Sequence, residues 1–254
     1  MLDLNNVTGK EEEDMLVIDH LTKCYKGSDK GVQDVNIHVE QGDIYAFIGH
    51  NGAGKTTTLK CITGIHGFDE GEIRINGMSI KENELACKKQ FAYIPDNPDL
   101  YEYLTGIQYL NFIGDVFEVP VDEREECITR YAGEFGITES LGDLISSYSH
   151  GMKQKLAILS AVIHKPKLWI LDEPFVGLDP KAAVVLKGIM REICNQGGAI
   201  FFSTHVLDVA EKLCNKVAII KDGKVLASGA MSDVVNNGDS LEDIFLEVLG
   251  DETN

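Results

Sequence analysis

The sequence lacks the surplus of basic side chains that a nucleic-acid-binding protein needs. Its 254 residues include 23 lysines and arginines against 41 aspartates and glutamates, which gives a formal net charge of -18. Binding to DNA or RNA depends on neutralising phosphates with lysine and arginine. The composition therefore argues against nucleic acid as a partner, although net charge leaves a local basic patch open.

Cysteine pairs and long apolar runs are also missing. The six cysteines include no C-x-x-C pair, so neither a zinc knuckle nor a disulfide framework is indicated, and we interpret them as free thiols in a reducing cytosol. No apolar run approaches the ~18 to 20 residues that cross a bilayer, and the N-terminus opens without the apolar core of a signal peptide. We expect a cytosolic chain whose role at a membrane would need a partner.

Apolar runs of strand length alternate with helical patterns along most of the chain. This alternation is typical of β-α units around a mostly parallel, buried sheet, so the sequence predicts an α/β fold. The predicted strands span residues 16–18, 44–48, 91–94, 168–171, 199–202 and 217–220.

Two further features subdivide the predicted fold. Residues 35–39 and 72–75 alternate apolar with polar side chains, as half-exposed antiparallel strands do, and predict a small antiparallel β subdomain. Helical spacing without strand signals predicts an inserted α-helical subdomain at about residues 97–165. The predicted limits are 1–14 for a disordered polar leader, 15–229 for the main domain and 230–254 for a C-terminal helical extension.

Residues 49–56 read Gly-His-Asn-Gly-Ala-Gly-Lys-Thr and satisfy the phosphate-loop pattern G-x-x-x-x-G-K-[ST]. They lie between a predicted strand and a helical run, which is the context that the pattern requires. The glycines let backbone N–H groups surround phosphates, and the helix N-terminus adds roughly half a positive charge. Lys55 is predicted to pair with the β and γ phosphates and Thr56 to face Mg²⁺. The alternative is a glycine-rich turn that matches by chance.

A second apolar strand, residues 168–171, runs directly into Asp172 and Glu173. In phosphate-loop ATPases the aspartate at this place holds Mg²⁺, and the following glutamate polarises the attacking water, a contribution of about 10²- to 10⁴-fold in rate. Alone, such a pair is more often the start of a solvated loop. Together with the phosphate loop, it predicts a nucleoside triphosphatase.

Residues 149–154, Ser-His-Gly-Met-Lys-Gln, resemble the signature motif of ABC ATPases, whose usual form is L-S-G-G-Q. Ser149 and Gly151 match, whereas Tyr148, His150 and Met152 replace the leucine, the first paired glycine and the glutamine. The resemblance extends over nearly all of residues 15–229. It implies a P-loop NTPase core with the two subdomains described above, which is the ABC ATPase fold.

Three further segments resemble family elements in the family's order. Asp179, in Gly-Leu-Asp-Pro, resembles the loop that links the two active sites of a dimer. His205, in Ser-Thr-His, resembles the switch histidine that contacts the γ-phosphate, and Tyr25 resembles the aromatic that stacks on adenine. Each has an ordinary alternative, namely a turn for Asp179, a helix cap for His205 and a strand aromatic for Tyr25.

One departure concerns metal and partner sensing. The family usually places a glutamine after Tyr-x-Pro, where it touches Mg²⁺ and senses the membrane partner, but this chain has Asp96. An aspartate still offers oxygen to a hard cation. It cannot donate a hydrogen bond when it is ionised.

The resemblance thus implies a complete set of site residues. Catalytic roles fall to Lys55, Glu173 and His205. The implied Mg²⁺ ligands are Thr56, Asp96 and Asp172. The implied ATP-binding residues are Tyr25, Gly49, Asn51, Gly52, Ala53, Gly54, Lys55, Thr56, Thr57, Ser149, Gly151 and Asp179.

The family resemblance also implies an activity and partners. We expect an ATPase that dimerises with a second copy, or with a homologous subunit, around two ATP molecules. It would drive a separate transmembrane permease from the cytoplasmic face of the cell membrane. Rival hypotheses are a soluble ABC-type ATPase of DNA repair or translation, whose zinc modules, coiled coils or tandem domains are not seen here, and a phosphate-loop kinase or GTPase.

Two surface features bear on the partner. Residues 240–249 resemble the ending of bacterial exporters of drug or bacteriocin type and predict a short amphipathic helix, which favours export; the alternative is a helix that only covers the core. Tyr101 and Tyr103, at the start of the helical insert, are candidates for permease contact. The alternative is internal packing against Leu104 or Phe112.

Overall fold

The computed structural model describes residues 14–25, 27, 30–235 and 239–250. The predicted polar leader lies outside these residues apart from Asp14. That residue does not belong to a leader, because it begins the first β-strand and pairs with Glu40. The limits predicted for the domain and for the C-terminal extension stay predictions.

A mostly parallel sheet forms the centre of the fold. Its strands are β3 (Ile44–Ile48), β6 (Phe91–Ile94), β7 (Leu168–Asp172), β8 (Ala199–Thr204), β9 (Lys216–Lys221) and β10 (Lys224–Ala230). Within the described residues their order is β10-β9-β3-β8-β7-β6, and only β10 runs antiparallel to its neighbour. The strands β3, β7 and β8 are buried along their full length, which is why they read as continuous apolar runs.

A second, antiparallel sheet packs against one face of the first. It contains β1 (Asp14–Cys24), β2 (Gly31–Glu40), β4 (Glu70–Ile75) and β5 (Met78–Ser79), in the order β2-β1-β4-β5. The first strand is longer than the predicted residues 16–18. A bulge near His20, whose φ is 51°, interrupts its alternation of apolar and polar side chains and hides its second half from the sequence pattern.

Helices α1 and α2 pack on the side of the antiparallel sheet, whereas the other helices lie on the opposite face of the central sheet or in the insert. The structure has α1 (Lys55–Ile62), α2 (Glu84–Lys88), α3 (Gly106–Val116), α4 (Val121–Phe135), α5 (His150–Ile163), α6 (Pro180–Asn195), α7 (Leu207–Leu213), α8 (Met231–Val234) and α9 (Leu241–Leu249). The insert between β6 and β7 contains α3, α4 and α5. The predicted α/β class, with its antiparallel subdomain and inserted helices, is confirmed.

Local sequence signals set the helix limits in the insert. Helix α3 begins after Thr105, which forms a capping box with Gln108, and α4 ends at Gly136 in the left-handed region, at φ 67°. The buried Arg124 joins α4 to α3, because it donates hydrogen bonds to two carbonyl oxygens and pairs with Asp115 at 2.8 Å. The insert therefore has its own framework of caps and polar contacts.

Side chains of β7 show how the two layers divide the core. Leu168 and Ile170 point into the apolar cluster beneath the antiparallel sheet, whereas Trp169 and Leu171 point into the cluster under the helices. Because alternate residues are fixed on both faces, the end of β7 has one defined position. The next residues of the chain emerge from the carboxyl edge of the sheet, where the polar groups collect.

The C-terminal helix α9 lies against α7. Leu241 is fully buried and its N–H donates to Glu211, while Ile244 and Phe245 are half-buried and Leu246 is exposed. The apolar face predicted for this helix therefore contributes to the core, as the core-covering alternative requires. Among the described residues, the helices are all too short or too polar to span a membrane.

Candidate nucleotide-binding site

A pocket of about 310 Å³ lies at the carboxyl edge of the central sheet. Ligands of open α/β sheets bind at this edge, because loops and helix N-termini converge there. The pocket is lined by Tyr25, Lys30, Gly31, His50, Asn51, Gly52, Gly54, Lys55, Thr56, Thr57, Asp96, Asp172 and Glu173. Most of the predicted nucleotide and metal residues therefore meet in one place.

Two glycines give the phosphate loop its shape. Gly52 and Gly54 have φ of 85° and 113°, in the left-handed region that side chains other than glycine rarely adopt. A methyl group on Gly54 would also come within 2.7 Å of Val32. The predicted residues Gly49 and Ala53 do not line the pocket; Ala53 is buried under the loop and accepts a hydrogen bond from Gly223.

Lys55 lies folded back across the loop. Its Nζ donates hydrogen bonds to the carbonyl oxygens of Gly49 at 2.6 Å and His50 at 3.3 Å, and it is 3.3 Å from Oε1 of Glu173. Both charged side chains of this pair are almost fully buried. Lys55 therefore holds a positive charge over the helix N-terminus, where backbone N–H groups also favour an anion.

The two oxygens of Asp172 are fixed by two hydroxyl groups. Thr56 donates to Oδ2 at 2.7 Å, and the buried Ser203 donates to Oδ1 at 2.5 Å. The Ser203 hydroxyl also accepts a hydrogen bond from the N–H of Glu173 at 3.1 Å. Sequence reasoning gave Ser203 no role of its own. The available signal was that β7 and β8 both end in polar residues, and parallel neighbours end at the same edge.

Glu173 lies between Lys55 and His205. Its backbone has φ 48°, an uncommon conformation for a residue with a side chain, and its side chain is mostly buried. The Oε2 atom accepts a hydrogen bond from the backbone N–H of His205 at 3.3 Å and lies 3.0 Å from the ring Nδ1. His205 is not a helix cap, because Val206 occupies the N-cap position of α7. The three predicted catalytic side chains are therefore in contact.

Asp96 enters the pocket from the loop after β6. Partial burial raises the pKa of its carboxyl group above the usual value, and the nearby carboxylates of Asp172 and Glu173 raise it further. His150 and His205 act in the opposite direction. A cation between these carboxylates would relieve their repulsion.

The donor set fits Mg²⁺ shared with a nucleotide. Thr56, Asp96 and Asp172 offer only oxygen atoms, which Mg²⁺ prefers. In the part of the chain that the structure describes, no group of three or more histidine, cysteine, aspartate or glutamate side chains could hold a metal alone. Mg²⁺ commonly completes its shell with substrate phosphates and waters, and this site needs that supplement.

Tyr25 lies just after β1, at the rim of the pocket, so it is not an aromatic within a strand. Its hydroxyl is 3.4 Å from Oγ1 of Thr57, on the first turn of α1. The ring also meets His66 edge to face, with centroids 6.1 Å apart. Lys30 and Gly31, which sequence reasoning did not select, complete this rim.

Besides Gly49 and Ala53, three further predicted ATP-binding residues do not line the pocket, namely Ser149, Gly151 and Asp179. Ser149 caps α5 by accepting a hydrogen bond from the N–H of Met152 at 3.3 Å. Asp179 caps α6 through Ala182 and pairs with Lys155 at 2.6 Å, so it belongs to a cap and not to a simple turn. The structure therefore gathers the signature residues at a second place, at the N-termini of α5 and α6.

The residues at the N-termini of α5 and α6 are closely packed. A methyl group on Gly151 would come within 2.6 Å of the carbonyl oxygen of Gly177, and one on Gly177 would come within 2.5 Å of the His150 ring. Gly177 has φ 78°. His150 replaces a glycine of the usual motif. Its ring has room because Gly177, which lies against it, has no side chain.

The tyrosines at the start of the insert form a surface cluster. Tyr101 contacts Phe112 edge to face at 5.5 Å between ring centroids, which is the packing that the alternative reading anticipated. The side chains nevertheless remain accessible, with 46% of Tyr101, 75% of Tyr103 and 41% of Phe112 exposed. The cluster therefore presents aromatic surface to solvent.

One family model and two relatives from Bacillus subtilis are similar to this chain. Residues 32–176 match the family model described as "ABC transporter". The ABC-type transporter ATP-binding protein EcsA of Bacillus subtilis (strain 168) is 34% identical over 225 residues, 87% of this chain and 91% of that protein. The SkfA peptide export ATP-binding protein SkfE of the same strain is 33% identical over 212 residues, 84% of this chain and 87% of that protein.

A solved structure agrees with the fold as well. The protein described as "Structure of ATP binding subunit of ABC transporter" superposes with a TM-score of 0.88 at 35% sequence identity. The match covers 93% of this chain and 100% of that chain. The antiparallel sheet, the central sheet and the helical insert are thus all parts of the shared architecture.

Proposed function

Because this chain belongs to the ABC transporter family and is an ATPase subunit of that family, we propose that two ATPase subunits close around two ATP molecules to drive a separate transmembrane permease. The observation that carries the proposal is the separation of the two halves of the site. The phosphate-loop pocket is lined without Ser149, Gly151 or Asp179. A partner subunit facing the pocket would supply them.

The N-terminus of α5 has the chemistry for that role. Ser149 and His150 are exposed there, and α5 is a helix of 14 residues whose first N–H groups lack carbonyl partners within the helix. Such an end attracts anions through its N–H groups and its dipole. In the proposed dimer, it faces the γ-phosphate held by the phosphate loop of the other subunit.

In the proposed reaction, each of the pocket residues has a different role. Arrival of the phosphates draws Lys55 from the Gly49 carbonyl to the β and γ oxygens. Glu173, separated from Lys55, then accepts a proton from the attacking water, and His205 positions both the carboxylate and the γ-phosphate. When bound, Mg²⁺ would neutralise phosphate charge, and Thr56, Asp172 and Asp96 supply oxygens to hold it.

Asp96→Asn tests the metal assignment through stability and activity. We expect it to raise the melting temperature of the nucleotide-free protein at neutral pH, because it removes a carboxylate that faces Asp172 and Glu173. The raised pKa of Asp96 in the folded state means that its charged form opposes folding. The gain should therefore shrink as the pH falls through the pKa of Asp96 and the wild-type carboxyl becomes protonated.

The same substitution should lower Mg²⁺-dependent hydrolysis more than nucleotide affinity. Phosphate release, nucleotide titration and thermal melting at several pH values check these effects, with the exposed Asp99→Asn as the matched control. An equal loss of affinity and hydrolysis would argue against a metal role for Asp96, and a lower melting temperature would contradict the repulsion between its carboxylate and those of Asp172 and Glu173.

We propose export as the direction of transport and the cytoplasmic face of the membrane as the location, reached through the permease. Two similarities support the direction. One is the relative whose name describes peptide export. The other is the likeness of residues 240–249 to the endings of bacterial drug and bacteriocin exporters. The proposed permease contact is the aromatic cluster of Tyr101, Tyr103 and Phe112, beside the loop of Asp96.

Changing both Tyr101 and Tyr103 to serine should reduce co-purification with the permease at least about tenfold, since exposed aromatic side chains often dominate interface energies. The melting temperature and basal ATPase rate should stay near wild type because both rings are largely accessible. The control is Leu85→Ser, which removes an apolar side chain that is 72% exposed on α2. A large fall in melting temperature, with binding lost only in proportion, would assign the tyrosines to the core.

A further inference from the structure

A second pocket of about 310 Å³ lies at the opposite edge of the central sheet. Trp169 near the start of β7 and Gly198 just before β8 line it, so it opens at the amino ends of strands whose carboxyl ends hold the nucleotide site. The remaining walls come from α4, the end of α5 and α6. None of the residues that line the nucleotide pocket reaches this one.

The interior of this pocket is mainly apolar. Tyr131, Val162, Trp169, Ile189 and Ile193 supply its walls. Cys127 also behaves as an apolar group, because burial raises the pKa of its thiol to about 11 and keeps it protonated at neutral pH. Small-molecule sites commonly combine such walls with a few polar groups that fix the ligand's orientation.

Most charged groups of the pocket pair with one another, but two donors have no protein partner among the described residues. Arg130 pairs with Glu192 at 3.0 Å, and Lys165 pairs with Glu123 at 2.6 Å. Within the described residues, the Lys167 ammonium group has no ion-pair or hydrogen-bond partner, although its side chain lines the pocket. The indole N–H of Trp169 is buried and also lacks an acceptor among those residues.

One further carboxylate, that of Glu126, also lines the pocket. Glu126 lies on the Lys165 side, close enough to contribute, with Glu123, to the raised pKa of that lysine. The indole N–H is closed off from solvent, whereas the ammonium group of Lys167 is exposed and offers its positive charge to a ligand at the rim. The pocket therefore fits a ligand that carries a hydrogen-bond acceptor next to an apolar body.

We propose that this pocket binds a small organic anion with a flat apolar body and one carboxylate or sulfonate group. The apolar body packs against Trp169 and the neighbouring aliphatic side chains. The anionic group lies at the rim and pairs with the exposed ammonium group of Lys167. Because α4 belongs to the helical insert whereas β7 and α6 belong to the core, the bound molecule contacts both parts.

The single tryptophan of the chain makes the pocket directly observable. The probe is 1-anilinonaphthalene-8-sulfonate, an aromatic anion with one sulfonate group that accepts excitation energy from tryptophan. We expect saturable quenching of Trp169 and sensitised probe emission in wild-type protein, unchanged by saturating Mg²⁺ and ATP. Thioflavin T, a flat cation, should not quench Trp169, although the chain's net charge of -18 would favour a cation if binding were only electrostatic.

Two variants and one control test the assignment. Lys167→Gln removes the cation that has no protein partner, and it should weaken the affinity for the probe about tenfold. This is the usual effect of losing a hydrogen bond to a charged group. Cys127→Phe fills the pocket and should abolish the quenching. Lys224→Gln, an exposed lysine on β10 outside the pocket, makes the same change in charge and should bind like wild type.

Thermal melting identifies any variant that has lost its fold. If Lys167→Gln and Lys224→Gln, both folded, bind the anion like wild type, the proposed recognition is wrong. Equal quenching by the cation overturns it as well. Displacement of the anion by ATP would place the probe in the nucleotide site and would also contradict the proposal.

Discussion

Glu173→Gln is expected to retain ATP binding and to lose nearly all hydrolysis. The substitution keeps the size of the side chain and its place between Lys55 and His205, but an amide cannot accept the proton of the attacking water. Removal of a general base costs about 10²- to 10⁴-fold in rate. Steady-state phosphate release measures the loss, and nucleotide titration of the same protein measures the retained binding.

Glutamine is also suited to the backbone at this position. Both residues tolerate the left-handed region about equally, so the φ of 48° adds no new strain. The matched control is Glu82→Gln, an exposed glutamate in the loop before α2, which should hydrolyse ATP like wild type. Wild-type turnover by Glu173→Gln would remove this residue from the role of base.

Lys55→Ala is expected to weaken ATP binding by between about tenfold and more than a hundredfold. Hydrogen bonds to charged groups are worth about 1.5 to 3 kcal/mol, and this lysine would make several to the phosphates from a nearly buried position. The substitution also leaves the Glu173 carboxylate facing the phosphates without its cation. Calorimetric titration with Mg²⁺ and ATP gives the affinity directly.

The control for Lys55→Ala comes from the same helix. Lys60→Ala removes a half-buried lysine from the last turn of α1, outside the pocket, and should bind ATP within about twofold of wild type because helix-dipole effects there are small. If Lys55→Ala bound ATP with unchanged affinity while its melting curve stayed normal, the loop at residues 49–56 would not be a phosphate site.

The position of the phosphate loop and of the two acidic residues after β7 could be predicted from the sequence, because each group is contiguous in the chain. The phosphate loop is one contiguous segment between a strand and a helix, so its location follows from local pattern. Asp172 and Glu173 follow a second buried strand, and parallel strands end at the same edge, which brings them to the loop. The edge strand β10 was not predicted, because its apolar and polar residues alternate only weakly. The signal available for it was the tight turn that precedes it, formed by Asp222 and Gly223 at positive φ.

Contacts between distant segments were harder to foresee. Ser203 fixes both Asp172 and Glu173 only because β8 lies directly beside β7 in the sheet. A strand order of this kind is decided by tertiary packing and cannot be taken from the local pattern of either strand. The contact between His205 and Glu173 depends on the same neighbourhood.

The signature residues illustrate a different limit. Ser149 and Asp179 were selected only through family resemblance, since each alone is a good helix cap, and each does cap a helix in this structure. The monomer satisfies both as structural residues. A second role for them depends on a partner subunit, which no pattern in a single chain specifies.

The mass of the Glu173→Gln protein with Mg²⁺ and ATP tests the proposed two-subunit motor most directly. By light scattering after size exclusion, we expect the mass to double with Mg²⁺ and ATP and to remain that of one chain without nucleotide. Adding Ser149→Asp should prevent the doubling, because aspartate still caps α5 but repels the γ-phosphate, whereas Ser149→Asn, a neutral cap, should allow it. The account would be contradicted if the Glu173→Gln protein bound ATP and kept the mass of one chain. It would also be contradicted if the mass of the protein that carries both Glu173→Gln and Ser149→Asp doubled as well.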